Sequence, residues 1–357
     1  MSVSFSQIIQ KTFIKLTAWM VFLKHEKERG TKKISIRKYY LLSKGFCSDH
    51  PIPFDFQKNK YTDYISDLEN IKLAYINYPY GRLVRDKLVF SYFFNSYFRT
   101  PVSYCTINKG KFQPVNIHPY ITSLSDLIDL AKQRKIILKP MMGTGGNGII
   151  LLEVKNDSGL FINKKPVTQD DLHNIIKSLD TYLVTEFIEQ GEFAKKFFPD
   201  TANTIRLTTF YDSETSVPFI PYSFMRFGRK NSIPADNISQ GGIFSMIDVN
   251  TGQLTDAIEI VKNQKPNLLQ KHPDTDAVIK GVIIPRWDQL KEFFIKLGCI
   301  ISPFMKIVGW DIILTDDSFV VLEGNNGPNL YNNQGAGYPL AKVPEVKKFL
   351  EYHKIRS

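Results

Sequence analysis

Cysteine is scarce in this chain: Cys47, Cys105 and Cys299 are the only three in 357 residues, far apart and without a C-x-x-C pair. Their scarcity excludes a disulfide framework, argues against a zinc site and suits a reducing cytosol. Long apolar runs are missing too. None approaches the ~18 uninterrupted residues of a membrane span. The stretch over 16–23 superficially resembles a signal peptide, but it runs into the charged residues 24–29 with no small-residue cleavage site. A cytoplasmic protein is therefore expected. The six histidines show no paired spacing, internal repeats and low-complexity tracts are absent, and the H-R-D and D-F-G signatures of protein kinases do not occur.

What the chain does have is apolar bulk. A 43% hydrophobic content with 26 Phe and 17 Tyr describes a globular protein long enough for two or three packed lobes. The net charge of +11 is uneven: residues 1–45 hold ten Lys/Arg against Glu26 and Glu28, so the remainder is close to balance. Such a one-ended surplus argues against nucleic acid as a partner. It leaves a solvated charged face, or an anionic partner such as membrane headgroups or a polyanionic glycan. In the same region Phe5, Ile8, Ile9, Phe13, Leu16, Met20 and Leu23 recur at helical spacing with lysines between them. That face either docks on a core or lies on a membrane surface.

Residues 1–75 read as basic and mainly helical, broken at Pro51-Ile52-Pro53, and a turn follows at 78–81. Helices are expected over 82–97, 124–134, 172–179 and 287–297. Strands are expected over 135–140, 149–154, 182–187, 204–211, 218–227, 242–249, 307–314 and 319–323. The class is α+β with antiparallel sheets, not an alternating βαβ series.

Gly143-Thr144-Gly145-Gly146-Asn147-Gly148 has G-x-G-x-x-G spacing. A dinucleotide-binding version would run into a helix, and a P-loop would continue with Lys-Ser/Thr. Here β-formers follow from Ile149, so the loop joins two antiparallel strands. Its glycines can lay backbone N–H groups over phosphates, and Lys139 enters it as a nearby cation. Towards the C-terminus, a five-residue loop over 315–319 would put Asp311 across a hairpin from Glu323. Asn325 lies two residues on and shares the face of Glu323. Three oxygen donors on one hairpin suit Mg²⁺, which takes one or two carboxylates and completes its shell with water and phosphate oxygens.

Taken in order, these motifs resemble the ATP-grasp superfamily, in its sugar-transfer-associated branch linked to cell-surface polysaccharide synthesis and related to α-L-glutamate ligases. The likeness covers about residues 85–341. It implies an ATP-grasp fold, in which two α/β lobes with antiparallel sheets clamp ATP. The divisions implied are a basic helical region over 1–75, a small nucleotide lobe with a preceding helical segment over 76–190, a large metal and substrate lobe over 191–345, and a basic tail over 346–357.

The resemblance also implies roles. Asp86-Lys87 is similar to the helix start that carries the first nucleotide lysine, and Lys139 with the loop 143–148 matches the second lysine and the phosphate cover. Glu186, Phe187, Ile188 and Glu189 look like the interlobe linker that reads adenine, with Glu189 or Glu192 at the ribose. Asn203-Thr204-Ile205-Arg206 is similar to the branch's NTxR strand. Arg226, Arg229, Asp236, Asn237, Gly241 and Gly242 resemble the loop region facing phosphate and substrate. Asp311, Glu323 and Asn325 fall on the pattern that holds two Mg²⁺ ions. Gly191 departs from the pattern, which has a His there.

The activity so implied is ATP-dependent ligation of a carboxylate to an amine through an acyl phosphate, with Arg206 and Arg226 or Arg229 steadying the transferred phosphoryl group. The branch suggests an acidic sugar or glycan carboxylate, such as a uronic acid, and an amino acid or amine as co-substrate. A phosphotransferase acting on a sugar hydroxyl and a non-catalytic nucleotide-binding module are the alternatives.

Overall fold

The structure, a computed structural model, describes residues 5–48, 56, 58–143, 145–155, 159–261, 266–328, 330, 334–335 and 337–356. The break expected at Pro51 and Pro53 lies outside the described residues, as do Thr144 and the side chains of Phe5, Ile8, Ile9 and Phe13.

Helix α1 (Phe5–Arg29) is held along one face: Ala18 and Phe22 are buried with Cys47 and Leu68. The same stripe continues to Glu26, whose carboxylate accepts from Ser48 N at 2.8 Å and Ser48 Oγ at 2.6 Å and pairs with Lys38 at 3.0 Å. That anchor sets the helix rotation. Leu16, Met20 and Leu23, which the spacing predicts as one face, consequently point to solvent. Helix α2 (Ile36–Ser43) starts on a Ser35 cap, and α3 (Asp67–Leu73), which packs against α1, starts on a reciprocal Ser66–Glu69 cap.

The helix expected over 82–97 is two helices, α4 (Arg82–Arg85) and α5 (Lys87–Phe94). Asp86 interrupts them with an extended backbone, and its Oδ1 accepts from Leu88 N at 3.0 Å and Val89 N at 3.2 Å. Its carboxylate satisfies donors that a continuous helix would have used internally, so a new helix begins with Lys87 at its first position.

One sheet comprises β1 (Ser103–Asn108), β2 (Lys111–Pro114), β3 (Ile136–Pro140), β4 (Ile150–Lys155), β5 (Gly159–Ile162), β6 (Lys165–Val167) and β7 (Tyr182–Glu186). Their order is β2-β1-β7-β3-β4-β5-β6, antiparallel throughout. Helices α6 (Leu124–Gln133) and α7 (Gln169–Ser178) bury Leu127, Ala131, Leu172 and Ile176 against it. Helix α7 starts earlier than its apolar pattern suggests because Thr168 and Asp171 form a reciprocal cap.

After the short α8 (Glu192–Lys195) comes a second sheet of β8 (Ile205–Asp212), β9 (Val217–Phe227), β10 (Ile243–Ile247), β11 (Leu254–Glu259), β12 (Asn267–Leu269), β13 (Ile307–Leu314) and β14 (Phe319–Asn326). It runs β12-β11-β10-β9-β8-β13-β14. Period-two alternation divides its residues. Leu207, Met225, Phe227, Trp310 and Ile312 face α5 and α9 (Trp287–Ile301), meeting Phe90, Phe94 and Phe294 in the largest core. The opposite face carries Phe210, Tyr222, Phe224, Phe244 and Ile307. Farther along that face, the pairing of β8, β9, β13 and β14 aligns Arg206, Arg226, Asp311 and Glu323.

Two segments cover the apolar part of this face. Ile65 and Leu73, expected within a separate N-terminal region, are buried in this core. Within the C-terminal segment, Pro344–Tyr352 form α10, with Val346, Phe349 and Leu350 buried. Arg356 then ties it down, bonding Glu69 Oε1 at 2.6 Å and the carbonyls of Thr62 at 2.6 Å and Tyr64 at 2.5 Å. Lys347 and Lys348 are exposed on α10, so its charge is one face of an amphipathic helix.

Candidate active site

The glycine loop is a hairpin between β3 and β4, as its β-forming flanks predict. Gly143, Gly145, Gly146 and Gly148 have φ of 125°, 85°, 69° and 75°, in the left-handed region that favours glycine. Lys87 reaches the loop from the start of α5: its Nζ donates to Gly143 O at 3.0 Å and lies 3.3 Å from Glu323 Oε2. Lys139, on β3, is buried beside them. Burial pushes the Lys139 ammonium down to about 8, with Lys87 adding to the fall and Glu323 opposing it. Two lysines, the glycine hairpin and the acidic hairpin thus meet in one place.

Asp311 pairs with Glu323 across the β13–β14 hairpin, whose connection is 315–318 because Phe319 pairs with Leu314. The Asp311 carboxylate is not open to solvent. Arg206 holds it with two bonds, Nε to Oδ1 at 2.5 Å and Nη2 to Oδ2 at 3.1 Å, and Arg226 Nη2 lies 3.0 Å from Oδ2. Burial alone would push this carboxyl up; the two guanidinium groups outweigh it and hold it well below the usual carboxylate range. Arg226 also donates to Thr204 Oγ1, and Thr204 Oγ1 donates to Asp236 Oδ2 at 2.5 Å. Asp236 is 3.5 Å from Arg226, yet burial dominates and raises its carboxyl above the ordinary value. Asn325 is half-buried, its Nδ2 3.4 Å from Gly309 O.

Beside the lysines is a cavity lined by Phe90, Ser103, Leu183, Thr185 and Leu322. Thr185 Oγ1 is buried there without a hydrogen-bond partner, a state that a bound polar group would relieve. The cavity is small and mainly polar, with Ser91, Thr100 and Ser103 beside the two lysines and the orphan hydroxyl. For a cation, no group of three or more His, Cys, Asp and Glu occurs among the described residues. Both Asp311 oxygens are already held by Arg206 and Arg226. The half-buried Glu323 and Asn325, by contrast, are of the donor type that suits a hard ion arriving with phosphate oxygens, since Mg²⁺ rarely uses an all-protein cage.

Residues 69–342 match the sugar-transfer associated ATP-grasp family. The chain belongs to this family. No curated protein matches it. Among solved structures it is similar to an N5-carboxyaminoimidazole ribonucleotide synthetase in complex with ADP, at 10% identity and TM-score 0.41, covering 72% of this chain and 51% of that one. It is also similar to a D-alanyl-alanine synthetase A from Vibrio cholerae O1 biovar eltor str. N16961 (7% identity, TM-score 0.45, 77% and 67% covered). A D-alanine–D-alanine ligase from Bacillus anthracis is similar at 13% identity and TM-score 0.39, with 99% and 96% covered. The chain spans about half the length of the first of these.

For an ATP-grasp chain the linker after β7 is of interest, and its geometry accounts for Gly191. A Cβ there would meet Asp316 N and Thr315 C at 2.7 Å, and Gly191 N donates to Leu314 O at 2.8 Å. The linker lies flat on the β13–β14 turn, which leaves no room for the His expected at this position. Glu186 accepts from Arg99 at 2.7 Å, Glu189 pairs with Lys135 at 2.7 Å, and Glu192 pairs with Lys195 at 2.9 Å. Phe187 lies under the Lys135 ammonium, and Ile188 is buried with Ile313 and Val320.

Other expected residues are placed apart from the lysines. Asn203 is buried, donating Nδ2 to Ala194 O and Phe198 O and accepting from Gly228 N, which makes it a brace of the α8 turn. Arg229 pairs with Glu259 at 2.5 Å and Asp274 at 3.4 Å, outside the Asp311 group. Gly241, at φ 98°, and Gly242 close a tight turn, in which a Cβ on Gly242 would lie 2.7 Å from Asp236 O. That turn carries Asn237 and Gln240 to the glycine loop: Asn237 Nδ2 donates to Gly145 O and Gln240 Nε2 to Asn147 Oδ1 at 2.9 Å. The sequence reading missed Gln240 and Leu322, whose roles come from contacts across the fold and carry no local motif.

Proposed function

We propose that the chain is an ATP-dependent carboxylate–amine ligase working through an acyl phosphate. Its acid, on this reading, is an acidic sugar or a uronic acid of a cell-surface glycan, and its second substrate an amino acid or amine. The observation that carries the proposal is the position of Lys87, bonded to the glycine loop and paired with Glu323 while Lys139 is buried alongside.

In this reading Lys87 and Lys139 hold the ATP phosphates, and loop N–H groups cover them. The substrate carboxylate oxygen attacks the γ-phosphorus, the bond to the β,γ-bridging oxygen breaks, and ADP leaves. The amine nitrogen then attacks the acyl carbon, phosphate departs with the C–O electron pair, and the nitrogen loses a proton. Positioning and charge neutralisation do most of the work in phosphoryl transfer. Arg206 and Arg226 supply guanidinium groups suited to phosphoryl oxygens. Glu323 and Asn325 would hold Mg²⁺, two ions in our reading, which neutralises phosphate charge when bound, and Asp311 would join them only on release by Arg206 or Arg226. The loop contacts of Asn237 and Gln240 keep the cover closed, which protects an acyl phosphate from water.

The test is ADP release with Mg²⁺ over uronic acids and amino acids, with product mass as readout. Amide, ADP and free phosphate that form only when acid and amine are both supplied support the ligase. A phosphorylated sugar without free phosphate identifies a phosphotransferase, and tight ATP binding without turnover identifies a nucleotide-binding module.

Lys139 makes a pH prediction. Its ammonium is charged below about 8 and neutral above, so ATP affinity is expected to weaken as pH rises through that value. Calorimetric titration of ATP between pH 7 and 9, roughly spanning the transition, checks it, with Lys139→Arg expected to flatten the profile.

The proposed localisation is cytoplasmic with peripheral contact at the inner face of the membrane through the basic N-terminal region. No helix among the described residues is long and apolar enough to cross a membrane.

A further inference from the structure

Helix α1 presents an unusual outer face. Leu16, Trp19, Met20 and Leu23 are 62%, 45%, 71% and 58% exposed, at i, i+3, i+4 and i+7 spacing. Isolated exposed apolar side chains are ordinary; a contiguous helical stripe is not. The stripe is not exposed for want of a docking site, because the opposite side of the same helix is buried through Ala18, Phe22 and Glu26. The 31–40 segment extends the surface. Thr31 N donates to Ser48 Oγ at 2.9 Å and Lys38 pairs with Glu26, which fixes this segment to the end of α1. On it Ile34, Ile36 and Tyr39 are 76%, 91% and 60% exposed. Lys24, Lys27, Lys32 and Lys33 are exposed among these residues.

Apolar side chains interleaved with lysines on a helix too short in apolar length to span are the chemistry of an interfacial helix. A second copy of the chain is the poorer occupant. A two-fold contact would press together two regions that each hold ten Lys/Arg against two Glu, whereas a bilayer with anionic headgroups accepts both the charge and the apolar stripe.

We propose that α1 and residues 31–40 form a docking surface for an anionic lipid bilayer, with Leu16, Trp19, Met20 and Leu23 entering the headgroup boundary. The inference rests on the peripheral localisation proposed above and names the face and the lipid class. It is independent of the ligase chemistry.

The experiment uses the full chain with vesicles of phosphatidylcholine alone or mixed with phosphatidylglycerol. The protein is expected to cosediment with the mixed vesicles, to release at high salt, and to show a blue-shifted tryptophan emission. Trp287 and Trp310 are buried, so the shift reports Trp19. The triple variant Leu16→Ser, Met20→Ser, Leu23→Ser is expected to bind mixed vesicles at least about tenfold more weakly while keeping its ATP affinity. Equal binding by the triple variant overturns this face and leaves peripheral localisation standing. Failure of the unaltered chain to bind either vesicle overturns both. Salt-insensitive binding to phosphatidylcholine alone overturns the anionic assignment. Dimers that the triple variant loses, without any vesicle binding, assign the face to a second copy instead.

Discussion

Asp311→Ala is expected to lower the unfolding free energy by about 3–5 kcal/mol, the range for breaking one member out of a buried ion pair. The sequence alone suggests a metal ligand whose loss stops turnover and leaves the fold intact. The structure shows that the carboxylate also neutralises Arg206 and Arg226 in a buried setting. Without it, two guanidinium groups face each other, and only Arg226 retains Asp236 nearby, at 3.5 Å. Urea unfolding of the variant and the unaltered chain measures the difference. The sign of its pH dependence follows from the depressed carboxyl. The stabilisation is fully present above the unfolded-state pKa of about 3.9 and disappears as pH falls through the lower folded value. The gap between the two proteins should therefore hold constant through neutral pH and narrow only in strong acid. A gap under about 1 kcal/mol, the level of an exposed pair, would mean that the Arg–Asp–Arg group does not form.

How much of this was legible in the sequence depends on distance along the chain. The glycine hairpin and the β13–β14 hairpin were readable because alternation and turn chemistry are local, and so Asp311 falls opposite Glu323 as expected. The break at Asp86 was readable in principle, since an Asp before a helical run is a cap signal, but the apolar pattern runs straight through it. Helix α10 carries Val346, Phe349 and Leu350 at helical spacing, a signal hidden by the surrounding charge. Periodicity identified an apolar face on α1 but not its direction, which is set by Glu26 and Ser48, 22 residues apart. The double hold on Asp311 was invisible for the same reason. Arg206 lies 105 residues from it in sequence, and a carboxylate marked by a metal-ligand motif gives no hint that two arginines already occupy it. Likewise nothing near Gln240 announces Asn147, 93 residues away.

Glu323→Ala is expected to act on the other side of this balance, with a smaller loss of stability than Asp311→Ala and a large loss of turnover. Glu323 is half-buried, and its partner Lys87 keeps a bond to Gly143 O when the carboxylate is removed. With Lys87 and Glu323 side chains only 11% and 22% exposed, the stability cost should lie between that of an exposed pair and that of a buried one, roughly 1–3 kcal/mol. Its charge, however, faces both lysines and the proposed cation position. Removing one element of transition-state electrostatics costs about 10²–10³-fold in turnover, and ADP release should fall by that much. A second readout separates this from a merely structural defect. Glu323 is the group that raises the Lys139 ammonium against burial and Lys87. Its loss should move the fall in ATP affinity to a pH below about 8, whereas Glu323→Asp, which keeps the charge, should leave the midpoint near its original position. Full turnover with an unmoved midpoint would separate Glu323 from the phosphate-binding lysines and remove the acidic hairpin from the site.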